Sequence, residues 1–288
     1  MGGMDAVLEQ LWRYPVKSML GERIGAAAVT EHGVPQDRGL ALIDRETGRI
    51  ASAKAPRLWR GLLRCSASIE GRDGETAAAG AVRIEVPGEK PLWSNDPQVD
   101  ERLSAYVGRP VRLSGSRPAD ATLDRSVPEE VLAAGLDAEV TAALVHLGSG
   151  SPAGAGFFDF APLHLITTST LDRIAELGPR GVVELERYRP NLVIRTAEPG
   201  FAENDWLGRE IRIGARLRLR VIARTPRCAV PTLEHGTLPR DVAALRTPAA
   251  HNRVPVVADA AGEEPCAGVY AQVLTPGAIA EGDRALVL

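Results

Sequence analysis

Residues 211–233, IRIGARLRLRVIARTPRCAVPTL, constrain the fold more than any other stretch. Ile211 and Ile213, then Leu217, Leu219 and Val221, alternate with arginines, the period-two pattern of a strand with one apolar and one polar face. Pro226 has no N–H to give the ladder, so the strand ends there and presents Cys228 beside Arg227. The stretch holds six arginines and no acid, in a chain whose formal net charge is −3. Positive charge gathered beside a thiol points to chemistry centred on Cys228.

The rest of the chain fits a mainly β protein. Its 288 residues are long for one core, which predicts two domains or one elaborated β-rich domain. The 29 glycines and 21 prolines are scattered, as many short strands and turns require. No apolar run approaches the ~20 residues that span a bilayer. The N-terminus shows no basic region followed by an apolar one, so no secretion signal and no membrane segment are expected. Cys65, Cys228 and Cys266 cannot all pair and show no CxxC spacing, which argues against a disulfide framework or structural zinc and for a reducing cytoplasm. Of 34 basic residues only Lys17, Lys54 and Lys90 are lysines, a bias read as compositional, and the mild acidity argues against nucleic-acid binding.

Along the chain, residues 5–13 read as an opening strand and 14–18 as a loop. Extended segments follow in AAAVTEHG, DRGLALIDRETGRI, LWRGLLRCSASIE and AVRIEVPG. Val99, Leu103, Tyr106 and Val107 have helical spacing that stops at Gly108. The texture loosens between about 116 and 160, and a boundary falls near 118/119, giving domains 1–118 and 119–288. The small-residue loop 148–162 reads as a connector, with a mobile flap as the alternative. LHLITT is a strand entering a helix, with Ser169–Asp172 as a capping box, Leu171, Ile174 and Leu177 as its stripe and Gly178 as its stop. A short helix in VVELERY leads through Arg189-Pro190-Asn191 into the strand Leu192–Arg195. PRDVAALRTPAAHNR is part helical, and VPVVADA, GVYAQVLTPG and DRALVL close the chain as strands.

A lone cysteine is most often a small buried hydrophobe. Arg227 and Arg224 weigh against that at Cys228, because neighbouring cations favour the thiolate, the form that attacks electrophiles or binds soft metals. One thiolate cannot hold a metal alone, so the metal would arrive already chelated by an organic cofactor. Lys17 and Ser18, with Asp37-Arg38-Gly39, read as solvated turns or as an anion clamp; no glycine spacing supports a P-loop. Arg189 and Asn191 offer a forked donor and an amide suited to a ring edge or a phosphate. His32, His146, His164, His235 and His251 form no ligand set, and His164 alternates like a strand residue. Glu184 and Glu186 read as solvated.

These stretches together resemble the MOSC-domain proteins with an N-terminal MOSC β-barrel domain, and within them the bacterial relatives of the mitochondrial amidoxime-reducing component. The resemblance runs through WRYPVKSMLGE, DRGLALID, DFAPLHLITTSTLDRI, RYRPNLVI, WLGREIRIG, TPRCAVPT and VYAQVLTPGAIAEGDRALVL, in order over nearly the whole chain. It implies a mainly β (α+β) fold, an N-terminal β-barrel-like domain and a C-terminal MOSC barrel with a few helices. It implies a molybdopterin-type molybdenum cofactor with Cys228 as metal ligand, and cofactor contacts from Lys17, Ser18, Arg38, Thr167, Thr170, Arg189, Asn191 and Arg227. Arg227 and Tyr270 would join Cys228 at the reacting centre, and the arginines of 211–227 would face the anionic cofactor. The superfamily also carries a pyridoxal phosphate label, to which no residue here is assigned. Pro226 stands where relatives often carry serine, and Lys54 at an arginine-like position.

The implied activity is reduction of N-hydroxylated or other N–O compounds, with S-oxides as a further class. The expected partners are a small-molecule substrate and an electron-donor protein (a ferredoxin, flavoprotein or cytochrome), the chain itself being a cytoplasmic monomer. A non-catalytic cofactor-binding or sulfur-carrier protein using Cys228, and a plain β interaction module, are the alternatives.

Overall fold

A computed structural model of the chain describes residues 4–69, 80–152 and 154–288. Seven strands close into a barrel in the order Leu163–Thr167, Leu192–Thr196, Met4–Arg13, Arg284–Val287, Glu210–Ile213, Leu217–Pro226 and Glu263–Thr275, the last pairing back to the first. Every pairing is antiparallel except that of Leu163–Thr167 with Leu192–Thr196, which the helix Thr168–Leu177 connects. A parallel pair cannot be joined by a tight turn, so this crossover helix is a topological necessity. The fold is mainly β, with five α-helices among the described residues.

The alternation seen in the sequence builds the barrel core. Ile211, Ile213, Leu217, Leu219 and Val221 are fully buried, and meet Leu8, Leu11, Leu165, Leu192, Val269 and Ala271 inside. Burying each of these large side chains is worth about 2 kcal/mol. The intervening arginines point the other way, to the outside of the barrel. Arg212, Arg216, Arg218 and Arg220 are exposed, and Arg218 and Arg220 both pair with Glu210 on the neighbouring strand. The expectation that these arginines face an anionic ligand is therefore corrected. Period two separates two faces, and here the polar face meets solvent.

The opening strand belongs to this barrel, not to the unit that follows it. Met4–Arg13 pairs with Leu192–Thr196 and Arg284–Val287, and Ala26–Val29 pairs with Gly277–Ala280. A second core gathers Val16, Met19, Leu42, Trp59, Leu62, Ile84, Leu103 and Val111. Its strands are short: Ala41–Asp44 with Val111–Ser114, and Ser66–Ser68 with Arg83–Glu85 and Leu92–Trp93.

Several local expectations change. The helix Val99–Val107 ends at left-handed Gly108 as its sequence predicts. LWRGLLR instead forms one helical turn and a 3-10 turn, started by Pro56 at a position whose N–H needs no partner. The VVELERY segment keeps only the 3-10 turn Leu185–Arg187. The cap of Thr168–Leu177 is Thr167, whose hydroxyl accepts from Thr170 N at 3.1 Å, so the box on Ser169 is displaced by two residues. No described helix is long and apolar enough to cross a membrane.

Candidate functional site

A cleft of about 100 Å³ lies where the outer wall of the barrel meets the second core. Val269 and Ala271 point into the barrel, so Tyr270 between them must point out of it, and His164 between Leu163 and Leu165 does the same. His164 and Tyr270 are cross-strand partners, and their rings lie 5.7 Å apart on this wall. Cys228 follows the end of Leu217–Pro226, faces the cleft and keeps 9% exposure. Burial pushes the thiols of Cys65 and Cys266 up to about 11, which leaves them inert.

The cleft is cationic. Lys17, Arg38, Lys54 and Arg189 line it, with Asp159 as the acid among its lining residues. Lys17 Nζ donates to Asp159 Oδ1 at 2.6 Å and to the Phe157 carbonyl at 2.8 Å, while Lys54 Nζ lies 3.0 Å from Asp159 Oδ2. Burial would raise the Asp159 carboxyl, but the two lysines hold it well below the usual carboxylate range. Burial pulls Lys17 down to about 8 against the opposing pull of Asp159. Burial also lowers Lys54, yet Asp159 and then Cys228 outweigh it and leave Lys54 above its ordinary value.

Asp159 reaches this position because the end of the 148–162 segment, through Phe158, Asp159 and Ala161, forms a wall of the cleft. Phe157 N donates to the Arg38 carbonyl at 2.8 Å, and Gln272 ties Gly150 at 3.0 Å. A Cβ on Gly156 would sit 2.6 Å from the Arg38 carbonyl oxygen, so only glycine lets the two backbones approach so closely.

Three of the four described non-glycine residues in the left-handed region line the cleft: Ser18 (φ 64°), Arg38 (φ 48°) and Arg189 (φ 54°). Each such conformation costs about 1 kcal/mol or more and persists where the surroundings impose it. Arg38 and Arg189 both lay their guanidinium groups on the Tyr14 ring, at 4.7 and 4.4 Å from its centroid. Arg38 also donates to Asp37, to Asn191 Oδ1 at 3.3 Å and to the Arg189 carbonyl at 3.2 Å. Arg189 Nη1 is buried with no partner, and burial lowers this guanidinium to about 10. Thr225 Oγ1, also lining the cleft, is buried without a partner. An unmet buried polar group costs about 1–3 kcal/mol, and these two residues keep hydrogen-bonding capacity at the cleft.

Of the other residues singled out from sequence, Arg227 and Asn191 also line the cleft, and both are bound into its framework. Arg227 is buried and donates to the carbonyls of Ala267 (2.9 Å) and Tyr188 (3.2 Å) and to His164 Nε2 (2.6 Å), so it braces the wall behind Cys228. Asn191 accepts from His164 N at 3.2 Å as well as from Arg38, and donates to the Trp12 carbonyl at 3.3 Å. Thr167 and Thr170 do not line the cleft. Both hydroxyls donate to Glu203 Oε2 at 2.6 Å, and Gly268 N donates to Glu203 Oε1 at 2.8 Å. Ser18 keeps its place at the cleft and accepts from Ala53 N at 3.1 Å. Glu184 is no solvated acid: it pairs with buried Arg187 at 2.6 Å and with Arg180. His164, Lys54, Asp159 and Thr225 were not assigned to a site from sequence. A polar residue on an otherwise apolar strand was the available signal for His164.

Fold and site together define a closed β-barrel protein with a single cysteine at a cationic cleft on its outer wall. The chain belongs to the MOSC-domain proteins: the MOSC N-terminal beta barrel domain matches residues 5–109 and the MOSC domain residues 149–285. Among solved structures it is similar to the YuaD protein from Bacillus subtilis, at 11% identity and TM-score 0.45, over 99% of this chain and 96% of that one. It is also similar to YiiM from Geobacillus stearothermophilus, at 14% identity and TM-score 0.32, over 60% of this chain and 74% of that one. No curated protein matches the chain.

Proposed function

We propose that the cleft holds a molybdopterin-type molybdenum cofactor and that the chain is an oxidoreductase removing oxygen from N-hydroxylated or other N–O compounds, with S-oxides as a further class. One observation carries the reading: Cys228 shares a buried cationic cleft with the unpartnered Arg189 Nη1 and Thr225 Oγ1. The donor set suits the group. Lys17, Arg38 and Arg189 would hold its anionic oxygens, Ser18 and Thr225 would hydrogen-bond it, and the Cys228 thiolate is a soft ligand suited to its metal. Among the described residues no three His, Cys, Asp or Glu side chains cluster as a metal site.

When bound, the cofactor would supply the two electrons that, with two protons, convert an N-hydroxylated amine into the parent amine and water. The chain's own residues bind and orient it. Arg227 and Tyr270 form the wall next to Cys228, and Lys54 holds a positive charge near Cys228 and Tyr270 that would favour a substrate oxygen as it gains electron density. Electrons would be replenished by a ferredoxin, flavoprotein or cytochrome, with the chain acting as a cytoplasmic monomer on a small-molecule substrate.

Metal analysis of protein produced in a host that makes the cofactor tests this. Stoichiometric molybdenum that disappears in Cys228→Ala and falls in Arg189→Ala is expected. Molybdenum-free wild-type protein carrying a persulfide on Cys228 would overturn it in favour of a sulfur carrier.

A further inference from the structure

We infer that His164 is a positioning residue of the cleft, a neutral imidazole that holds Arg189 with one nitrogen and Arg227 with the other. Its importance rests on the anion-binding reading of the cleft proposed above.

The geometry settles which nitrogen carries the hydrogen. Arg227 Nη2 lies 2.6 Å from His164 Nε2, and a guanidinium has no lone pair to offer, so Nε2 must accept. The ring hydrogen therefore sits on Nδ1, 3.3 Å from the Arg189 carbonyl, and donates to it. That carbonyl also accepts from Arg38 Nη2 at 3.2 Å, so two donors pin the peptide of a residue held at φ 54°. The backbone of His164 holds the same turn from its other side: its carbonyl accepts from Asn191 N at 2.7 Å. From this fixed peptide the Arg189 side chain lies over the Tyr14 ring and lines the cleft, with Nη1 unpartnered.

The neighbouring strand makes room for this ring. Gly268 has φ +83°, and a Cβ there would stand 2.4 Å from His164 Nε2. Glu203 fixes Gly268 through its N–H at 2.8 Å and is itself anchored by Thr167 and Thr170. The two threonines thus act on the site from behind it. Burial, and next Arg227, hold the imidazole well below its usual range, consistent with a ring that stays neutral.

Two polar substitutions separate the two contacts. His164→Asn keeps a donor near the Nδ1 position, and His164→Gln keeps an acceptor near the Nε2 position. Calorimetric titration of each variant with inorganic phosphate, alongside Arg189→Ala, reads the turn directly. The expected result is near wild-type affinity for His164→Asn and on the order of tenfold weaker binding for His164→Gln and for Arg189→Ala, the scale of one lost hydrogen bond. Combining His164→Gln with Arg189→Ala should weaken binding no further than Arg189→Ala alone, because His164 acts through Arg189. Wild-type affinity in His164→Gln, or additive losses in the double variant, would overturn the role. Molybdenum content measured in parallel reports on the cofactor reading alone. A molybdenum-free wild type whose phosphate affinity still follows the His164 variants would sink that reading and leave the positioning role standing.

Discussion

Lys17 Nζ and Asp159 Oδ1 meet at 2.6 Å across 142 positions of sequence, and join the two halves of the chain at the cleft. The pair is sheltered on one side only: the Lys17 side chain is 5% exposed and that of Asp159 33%. Replacing Asp159 would leave two lysines facing each other without a counter-ion.

Asp159→Asn is accordingly expected to destabilise the fold by about 2 kcal/mol at neutral pH, between the values for exposed and buried ion pairs. The folded-state carboxyl lies below its unfolded value of about 3.9, so its contribution is present above that pH and is lost as pH falls through the lower folded value. Urea unfolding of both proteins across the acid range checks this. A gap between them that does not narrow toward low pH would refute the ion-pair account.

Lys17 supplies a pH limit to anion binding. With its ammonium pulled down to about 8, it loses its charge as pH rises through that value, and affinity for phosphate should fall there. Lys17→Ala should bind more weakly below pH 8 and lose that alkaline limb. Calorimetry at a series of pH values reads both effects, and an unchanged limb in the variant would assign it to another group.

Gly268→Ala should cost about 3 kcal/mol or abolish folding. The new Cβ would lie 2.4 Å from His164 Nε2 and 2.5 Å from the Leu165 carbonyl, on a backbone at φ +83°. The denaturation midpoint measures the loss. A shift under about 0.5 kcal/mol would show that the strand can move away from His164.

Arg218 and Arg220 test which arginines matter. Both lie on the outer face and share Glu210, an exposed arrangement worth little. The double replacement by alanine should leave molybdenum content, phosphate affinity and the denaturation midpoint essentially unchanged. Loss of molybdenum would return these residues to the site.

Much of the barrel was legible in the sequence. Ile211, Ile213, Leu217, Leu219 and Val221 were readable as one buried face, and Pro226 as the end that presents Cys228. Alternation is local and needs no partner to be seen. The helix Val99–Val107 with its stop at Gly108 was legible for the same reason.

What a polar residue meets is decided elsewhere in the chain. Barrel closure turns the arginines of 212–220 to solvent and lets Lys17, Arg38, Lys54 and Arg189 supply the charge around Cys228. Thr167 and Thr170, at a helix start, find Glu203 and not the cleft. His164 acquires its role from Tyr270 and Gly268 across the last barrel seam and from Arg189 and Arg227 at two strand ends. Local periodicity by itself determined which faces are apolar. Register and closure, which depend on pairings between distant strands, alone decided which polar groups converge on the thiol.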